Sequence, residues 1–230
     1  YENNLVLGRA NKYLLSSAKK ILLAKKIKEN FPEKFKNKIR EVGSILDKKI
    51  INYSNFKNNN NRNFTILVFG GSQGAEIFGK IIPTVIKMMK DSGHVIEINQ
   101  QCIKSQKNSI IDFYTKNKIK NYVFDFDKNI LKLILSSDLA ITRCGASSTA
   151  ELTHTITPFI GIPLKNSIDN HQYLNAKYYE EKGCCWIIEE DDFNTKNLFN
   201  LIIKIIKNEN KLRNIRENMK KITAIMFTLL

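Results

Sequence analysis

The sequence predicts an α/β fold with a doubly wound parallel sheet, and two observations lead to this prediction. After residue 64, short apolar runs alternate with longer amphipathic runs, which is the pattern of strands joined by crossover helices. Small residues follow two of the apolar runs, in "VFGGSQGAEIFGK" (68–80) and "RCGASSTAEL" (143–152), as they do where a parallel strand turns into a helix. A chain of 230 residues is long enough to bury the core that such a sheet needs.

The first quarter of the chain has a different pattern. Residues 5–28 place apolar side chains at three- and four-residue steps with lysines between them, which predicts one long amphipathic helix. The proline in "NFPEKF" (30–35) ends it, and the polar low-complexity run "FKNNNNRN" (56–63) predicts a linker. We therefore divide the chain into an initial segment (1–56), a linker (57–63), an α/β domain (64–222) and a tail (223–230).

Short apolar runs of the α/β domain are rich in β-branched or aromatic residues, as buried strands are. In chain order the predicted strands are TILVF (65–69), HVIEI (94–98), NYVFDF (121–126), DLAIT (138–142), FIGIP (159–163) and CWII (185–188). Between and after them, apolar side chains recur with helical spacing in longer runs. The predicted helices lie at 73–90, 105–117, 128–136, from about 147, and at 170–182, 195–207 and 209–222. Because a parallel sheet binds its ligand outside the carboxyl ends of the strands, the residues after each strand are the candidates for function.

The glycine-rich turn after the first predicted strand, GGSQGA (70–75), suits a phosphate. Glycines let the backbone approach closely, and the helix that follows offers amide groups and the positive end of its dipole. The spacing does not match the dinucleotide-binding G-x-G-x-x-G pattern. It also departs from a P-loop, since Ile81 occupies the position of the Ser or Thr that holds magnesium. A turn without a ligand is the alternative interpretation.

The turns after the fourth and fifth predicted strands have a similar character. Ser147, Ser148 and Thr149 can cap the helix that begins there and can donate hydroxyl groups to a phosphate. Glu151 has two interpretations, an acid that suits the dipole in the first helical turn or a carboxylate that accepts the hydroxyls of a ribose. The stretch "DNHQYLNA" (169–176) concentrates hydrogen-bonding side chains at a helix start, either as an N-cap or to recognise sugar hydroxyls.

Charge, cysteines and histidines exclude several classes of function. The net charge of +15 comes mostly from evenly spread lysines, which predicts a solvated lysine-rich surface, with attraction to acidic lipid as the alternative. The sequence has no aromatic and basic stacking platform, so we predict no nucleic-acid partner. The four cysteines form no C-x-x-C pair and are expected to be free thiols. No histidine has a partner at metal-ligand spacing, so we predict no metal site. The longest nearly uncharged run, "ITAIMFTLL" (222–230), is far shorter than the roughly 20 residues of a membrane span.

Three motifs in fixed order, "GGSQGA", "RCGASSTAEL" and "DNHQYLNA", resemble the MurG family of bacterial peptidoglycan glycosyltransferases. The opening residues are similar to the end of that family's N-terminal domain, so the resemblance covers nearly all of residues 1–220. It implies the GT-B glycosyltransferase fold, in which two Rossmann-like domains face a cleft. Residues 1–56 would then belong to the end of the acceptor- and membrane-binding N-terminal domain. Residues 64–222 would form the C-terminal domain, which binds UDP-GlcNAc.

The resemblance also implies a function. The family transfers GlcNAc from UDP-GlcNAc to lipid I, which is undecaprenyl-pyrophosphate-linked MurNAc-pentapeptide, and so makes lipid II. The transfer inverts the anomeric carbon and uses neither a metal nor a cofactor. The enzyme is a peripheral protein on the cytoplasmic face of the bacterial inner membrane. The expected partners are therefore UDP-GlcNAc, lipid I and the membrane surface.

Matching the family's motifs position by position implies a donor site. Ser72 would meet the diphosphate, and Glu151 would bind the ribose. His171 and Gln172 would hold GlcNAc hydroxyls, while Asn4 would reach across from the initial segment. The other implied donor-binding residues are Phe126 and Asp127 beside the uracil, and Ala146, Ser147, Ser148, Thr149 and Ala150 in the nucleotide pocket.

The sequence departs from the family's pattern at three positions. Asp47 stands where the family has the arginine of a G-N-P-V-R turn, Tyr1 where it has a histidine, and Asp127 where it usually has an apolar residue. The family's N-terminal glycine-rich turn, with the proposed catalytic base, would lie upstream of Tyr1. We therefore expect no catalytic residue in this chain and no transfer by it alone. One alternative is an inactive nucleotide-sugar-binding remnant of such an enzyme, and another is a related sugar-nucleotide epimerase, which should lack the "DNHQ..NA" pattern.

Overall fold

The computed structural model describes residues 1–25, 31–51, 63–70 and 76–228. The strands are β1 (Ile21–Leu23), β2 (Ile39–Glu41), β3 (Phe64–Phe69), β4 (Ile96–Gln101), β5 (Lys120–Phe124), β6 (Leu139–Thr142), β7 (Phe159–Gly161) and β8 (Cys185–Ile187). The α-helices are α1 (Arg9–Leu14), α2 (Lys48–Ile51), α3 (Glu76–Asp91), α4 (Lys107–Lys116), α5 (Ile130–Ser136), α6 (Ala146–His154), α7 (His171–Glu180), α8 (Thr195–Ile206) and α9 (Glu209–Thr228).

The main sheet has six parallel strands in the order β5-β4-β3-β6-β7-β8. The chain builds outward from β3 to β5 and then returns across α5 to place β6 on the other side of β3. The direction of winding therefore reverses between β3 and β6, which makes a topological switch point where the turns after both strands lie side by side. Each predicted strand of this sheet is present, with ends displaced by up to three residues.

Helices cover both faces of the main sheet, as buried parallel strands require. Successive β3 residues alternate between the two layers, because side chains of a strand point to opposite faces. Ile66 and Val68 pack with apolar residues of α3, α4 and α8, whereas Leu67 and Phe69 pack with residues of α5, α6, α7 and α9. The described helices confirm the predicted helical segments, and α9 continues to Thr228, beyond the predicted end at residue 222.

The single helix predicted over residues 5–28 is wrong. Only α1 is helical there; Ile21 to Leu23 form β1, which pairs in parallel with β2, and residues 26–30 lie outside the described part of the chain. Ile21 and Leu23 pack with Leu7 and Leu15 in a small apolar cluster. The local spacing of apolar residues fits a helix, but the pairing partner lies at Ile39–Glu41, which a local pattern does not reveal.

The division at residues 56–63 stays a prediction, since residues 52–62 lie outside the described part of the chain. Among the described residues, no helix is both long and apolar enough to cross a bilayer. In the same residues no group of three or more His, Cys, Asp or Glu side chains is arranged to hold a metal ion.

Candidate functional site

The turns after β3 and β6 meet at the switch point of the sheet. Phe69, the last residue of β3, pairs with Thr142, the last residue of β6. The amide of Gly70 donates to Oε1 of Gln101 at 3.1 Å, and Nε2 of Gln101 donates to the carbonyl of Asp125 at 3.0 Å. Gln101 therefore links the glycine turn to the end of β5. Ser72 and the rest of residues 71–75 lie outside the described residues, so the role implied for Ser72 stays a prediction.

The start of α6 presents backbone groups more than side-chain hydroxyls. Gly145 is the N-cap and no side chain caps the helix, so the predicted cap by Ser147, Ser148 or Thr149 is wrong. Thr149 is buried, and its hydroxyl donates to the carbonyls of Gly145 and Ala146, at 3.1 Å each. This hydroxyl is thus occupied within its own helix and does not favour a phosphate contact.

The remaining residues of this turn differ in exposure. Ala146 and Ala150 are buried, Ser148 is half-buried and Ser147 is exposed. Nδ2 of Asn3 donates to Oγ of Ser147 at 3.3 Å, which connects the initial segment to α6. The first intrahelical bond joins the amide of Thr149 to the carbonyl of Gly145 at 3.0 Å. The amides that precede it are the ones a helix N-terminus offers to an anion.

Glu151 lies half-buried in the second turn of α6. It is outside the first turn, where a helix dipole acts most strongly, so the dipole interpretation loses its basis. Burial raises the pKa of Glu151, and the negative charge of Asp47 raises it further. Asp47 precedes α2, where its Oδ1 accepts the amide of Lys49 at 2.8 Å. The structure therefore brings the departure at Asp47 next to the predicted ribose ligand.

The two residues before α7 have an unusual backbone conformation. Asp169 and Asn170 both adopt left-handed backbone, with φ of 51° and 52°, and neither side chain caps the helix. Asn170 thus occupies the predicted N-cap position of α7, but without a capping hydrogen bond from its side chain. Nδ1 of His171 is 2.6 Å from the carbonyl of Ile168, to which it donates, so Nε2 of the neutral ring can accept a hydrogen bond.

Gln172 joins the two loops that border this end of the sheet. Its Oε1 accepts the amide of Cys144 at 3.2 Å and the amide of Leu164 at 3.1 Å. These bonds fix the orientation of the side-chain amide and direct its oxygen toward the protein. The Nε2 group is therefore the part of Gln172 that can donate to a ligand hydroxyl.

Asn4 lies beside Asn175, and both the oxygen and the nitrogen of its side-chain amide are already hydrogen-bonded within the protein. Nδ2 of Asn175 donates to Oδ1 of Asn4 at 3.1 Å, while the amide and Nδ2 of Asn4 donate to Oε1 of Glu2 at 2.9 and 3.1 Å. Asn175 is fully buried and also donates to the carbonyl of Cys144 at 3.3 Å. The initial segment is thereby joined to α7 and, through Asn175, to the turn before α6.

Glu2 and Asn175 hold the segments around the site together, and neither was among the donor-binding residues that the sequence implied. Burial alone would raise the pKa of Glu2, but hydrogen bonds from Gly8, Asn11 and Asn4 outweigh burial and hold this pKa below its ordinary value. The available signals were a carboxylate among asparagines in "YENN" and an asparagine three residues after Gln172 on one helix. Neither signal distinguishes a ligand-binding group from one that joins two segments.

Phe126 and Asp127 lie at the end of β5, away from the other candidates. Phe126 is 73% exposed. The carboxylate of Asp127 closes its own loop by accepting the amide of Asn129 at 2.6 Å and the hydroxyl of Tyr122 at 2.9 Å. Three strand spacings, about 14 Å, separate β5 from β6. A ligand that reaches from Phe126 to Gln172 must therefore be elongated.

Two cavities, of about 470 and about 360 Å³, lie beside α7 at the far edge of the sheet. Both are bordered by Tyr173 and Glu189. Neither is lined by a predicted donor-binding residue. The smaller cavity nevertheless adjoins the candidate site, because its lining includes Asn170 and also Leu164, whose amide donates to Gln172.

Comparisons with known proteins agree with the fold. The family model described as the glycosyltransferase family 28 C-terminal domain matches residues 65–227. Two UDP-N-acetylglucosamine–N-acetylmuramyl-(pentapeptide) pyrophosphoryl-undecaprenol N-acetylglucosamine transferases are similar in sequence. The one from Pelagibacter ubique is 36% identical, over 96% of this chain and 61% of its own length. The one from Rickettsia canadensis is 38% identical, over 96% of this chain and 63% of its own length.

Among solved structures, Acinetobacter baumannii MurG aligns with a TM-score of 0.77 at 21% identity, over 95% of this chain and 61% of that chain. This likeness confirms the predicted GT-B glycosyltransferase fold. The chain spans about three fifths of the length of the relatives and of the structure that it matches.

Proposed function

The chain belongs to glycosyltransferase family 28, and from this premise we propose that it binds UDP-GlcNAc for transfer to a lipid-linked N-acetylmuramyl-pentapeptide. The two similar transferases carry this donor and this acceptor in their names. The observation that carries the proposal is the arrangement at the switch point. There the start of α6, the start of α7 and the initial segment are joined by hydrogen bonds around Cys144, Gln172 and Asn175.

The candidate residues fit the successive parts of an elongated nucleotide sugar. The exposed ring of Phe126 offers an aromatic face for the uracil. Glu151 can accept both ribose hydroxyls once its carboxylate is ionised. The amides at the start of α6 and the glycine turn with Ser72 suit the diphosphate. His171 Nε2 and Gln172 Nε2 can bind hydroxyls of GlcNAc, and Asn4 limits the site on the side of the initial segment.

The chemistry that follows from this arrangement is stabilisation of the leaving group. As the bond between the sugar and the diphosphate breaks, negative charge grows on UDP, and the positive end of the α6 dipole stabilises this charge. The proposal uses no metal and no cofactor. It has the acceptor hydroxyl attack from the face opposite UDP, which inverts the anomeric carbon. It assigns no residue of this chain to deprotonation of the acceptor.

The proposal extends to where the protein acts. The undecaprenol named for the relatives is a long polyprenyl lipid, so an acceptor of that kind resides in a membrane. We therefore place the protein at the cytoplasmic face of the bacterial inner membrane as a peripheral protein. Family membership favours a transferase over a sugar-nucleotide epimerase.

One observation favours a second candidate function, nucleotide-sugar binding without catalysis. Asp47 raises the pKa of Glu151 beyond the effect of burial, and so lowers the ionised fraction of the carboxylate that binds ribose. An arginine at residue 47, as in the resembling family, would have the opposite effect. A protein that no longer transfers the sugar of its donor would tolerate such weakened donor binding.

Calorimetry with UDP, UDP-GlcNAc and GDP tests the donor site. We expect UDP and UDP-GlcNAc to bind and GDP to bind at least about tenfold more weakly. Glu151→Gln should weaken UDP binding roughly 10- to 100-fold, because it removes hydrogen bonds to a charged group. Glu217→Gln is the matched control, since Glu217 pairs with Lys220 on the surface of α9. Absence of UDP binding by the unmodified chain would refute the site.

A further inference from the structure

Glu190 and Arg143 form a largely buried ion pair at the edge of the candidate site. Glu190 begins the short 3₁₀ turn after β8, and its Oε1 accepts a hydrogen bond from Nη2 of Arg143 at 2.5 Å. The Arg143 side chain is 11% exposed and that of Glu190 is 21% exposed. Nη1 of Arg143 donates to the carbonyl of Ile162 at 3.2 Å, and the guanidinium lies 5.4 Å from the ring centre of Phe78. Three contacts therefore fix the Arg143 side chain.

Glu190 and Gln172 bridge the same two loops at adjacent residues. Oε2 of Glu190 accepts the amide of Lys165 at 2.9 Å, so this carboxylate holds the loop after β6 through Arg143 and the loop after β7 through Lys165. Oε1 of Gln172 accepts the amide of the residue after Arg143 and the amide of the residue before Lys165. The loop positions that Glu190 sets are therefore also the positions of the two amides that orient the Gln172 side chain.

The Glu190 bridge differs in kind from the ion pair next to it. Burial alone would raise the pKa of Glu190, but hydrogen bonds from the Lys165 amide and from Arg143 outweigh burial and hold this pKa below its ordinary value. Removing this carboxylate would leave the Arg143 cation largely buried without its anion, which is costly. The adjacent Asp191 instead pairs with the amine of Lys165 at 2.6 Å, and their side chains are 71% and 58% exposed. Exposed pairs of this kind contribute little.

We propose that Glu190 is a positioning residue for the sugar of the donor. Its carboxylate holds the loops after β6 and β7 in the arrangement that directs Nε2 of Gln172 toward a hydroxyl of GlcNAc. Glu190 thereby sets the preference of the protein for UDP-GlcNAc over UDP. This role rests on the proposed function, since it requires that Gln172 binds the sugar, and Glu190 itself need not touch the donor.

The contacts of Glu190 separate the sugar from the nucleotide. The residues expected to bind uridine, Phe126 and Glu151, lie after β5 and on α6, whereas Glu190 is bonded to Arg143 and to the loop after β7. Loosening this bridge should therefore weaken sugar binding and leave uridine binding intact. A guanidinium near a diphosphate can also bind phosphate directly. Both terminal nitrogens of Arg143 already donate within the protein, to Glu190 and to the carbonyl of Ile162, which favours positioning.

Calorimetry with UDP and with UDP-GlcNAc tests this role. Glu190→Gln keeps the size of the side chain but replaces one of its two acceptor oxygens by a donor, so it cannot maintain both bonds with the same geometry. We expect the ratio of UDP-GlcNAc affinity to UDP affinity to fall roughly three- to tenfold, with the affinity for UDP itself within about twofold of that of the unmodified chain. Arg143→Lys keeps the cation but loses the planar fork, and should lower the ratio in the same way.

Two comparisons separate positioning from a general loss of order. Asp191→Asn is the matched control, because it alters the neighbouring carboxylate, whose partner is the exposed amine of Lys165, and it should leave both affinities unchanged. In a Gln172→Ala background, Glu190→Gln should lower the affinity ratio no further, because the side chain that Glu190 positions is absent. A merely structural effect of Glu190→Gln would persist in that background and would refute the role. Circular dichroism on every variant shows whether the fold is retained.

Amide hydrogen exchange without any ligand gives a second readout. The amides of Cys144 and Leu164, which donate to Gln172, should exchange faster in Glu190→Gln than in the unmodified chain or in Asp191→Asn. This measurement tests the positioning step independently of the donor.

The outcomes distinguish this role from the donor site itself. Normal UDP binding with an unchanged affinity ratio, or with unchanged amide exchange, in Glu190→Gln overturns the role and leaves the donor site standing. UDP binding that changes in Glu190→Gln as much as UDP-GlcNAc binding does would make Arg143 a diphosphate ligand and would also overturn the role. Absence of UDP binding by the unmodified chain refutes the donor site and this role with it.

Discussion

Lys25 is a buried amine whose environment predicts a measurable pH dependence of stability. It follows β1, is 1% exposed, and its Nζ lies 4.2 Å from the ring centre of Tyr179 and 4.8 Å from that of Tyr178. Within the described residues, no hydrogen-bond acceptor reaches this Nζ. Burial lowers the pKa of Lys25 from 10.5 to about 7. The protonated amine is therefore less favourable in the folded protein than in the unfolded chain.

The size of the effect follows from the two pKa values. Between about pH 7 and 10.5 the unfolded chain binds more protons than the folded protein, so the free energy of unfolding rises with pH across this window. Below pH 7 the full penalty applies, about 5 kcal/mol at 1.36 kcal/mol per pKa unit. Between pH 6.5 and 9.0 the penalty falls by roughly 2 to 3 kcal/mol. These figures are upper values, because the two tyrosine rings attract the cation.

Denaturant unfolding of the unmodified chain and of Lys25→Met isolates this contribution. Methionine keeps an unbranched apolar side chain and removes the amine, so the variant should be more stable at pH 6.5. The stability difference between the two proteins should shrink by roughly 2 to 3 kcal/mol at pH 9.0. Other titrating groups are common to both proteins and cancel in the difference.

Lys182→Met is the matched control, since the Nζ of Lys182 also lies 4.8 Å from the ring centre of Tyr178 but its residue is exposed. Its stability difference from the unmodified chain should not change with pH by more than about 0.5 kcal/mol. A pH-independent difference for Lys25→Met, or equal behaviour of both variants, would refute the reasoning.

Three further predictions concern the candidate site. Asp47→Asn should lower the pKa of Glu151 and strengthen UDP binding at pH 6 roughly two- to fivefold, as measured by calorimetry, because it removes a neighbouring negative charge. Gln172→Glu keeps an oxygen for the two backbone amides but loses Nε2, so the affinity for UDP-GlcNAc should fall toward that for UDP, with UDP itself unchanged. Asn175→Ala should lower the free energy of unfolding by roughly 2 kcal/mol in denaturant titrations, because the carbonyl of Cys144 and the side-chain oxygen of Asn4 both lose the donor Nδ2 of Asn175.

The controls for these variants are surface residues of the same type. Asp91→Asn alters a carboxylate that pairs with Lys87 on α3 and should leave UDP binding unchanged. Asn210→Ala, at the exposed start of α9, should change stability by less than about 0.5 kcal/mol. An Asp47→Asn chain whose UDP affinity is unchanged at pH 6, a Gln172→Glu chain with unchanged preference for UDP-GlcNAc, or an Asn175→Ala chain as stable as the Asn210 control would each contradict its prediction.

At the candidate site, local sequence patterns predicted the positions of the turns but not the contacts between distant residues. The sequence identified the turns after β3 and β6 and the start of α7, because each follows a strand directly. It did not show that the Thr149 hydroxyl is occupied within α6, or that Gln172 and Asn175 bind backbone groups of other segments. The charge of Asp47 meets Glu151 across about a hundred positions of chain, which no local motif can indicate.

The sequence by itself determined the α/β class, the succession of strands and helices after residue 64, and the GT-B resemblance. The class and the succession of elements follow from the period of apolar residues and from small residues at turns, and the GT-B fold is what the resemblance of three short motifs implies; both are local properties of the chain. Only the tertiary structure decided that residues 21–23 form a strand, that Lys25 is buried and that Tyr13 is exposed. The physical reason is that pairing and burial depend on contacts between distant residues, and a surface is defined only by what the rest of the fold leaves uncovered.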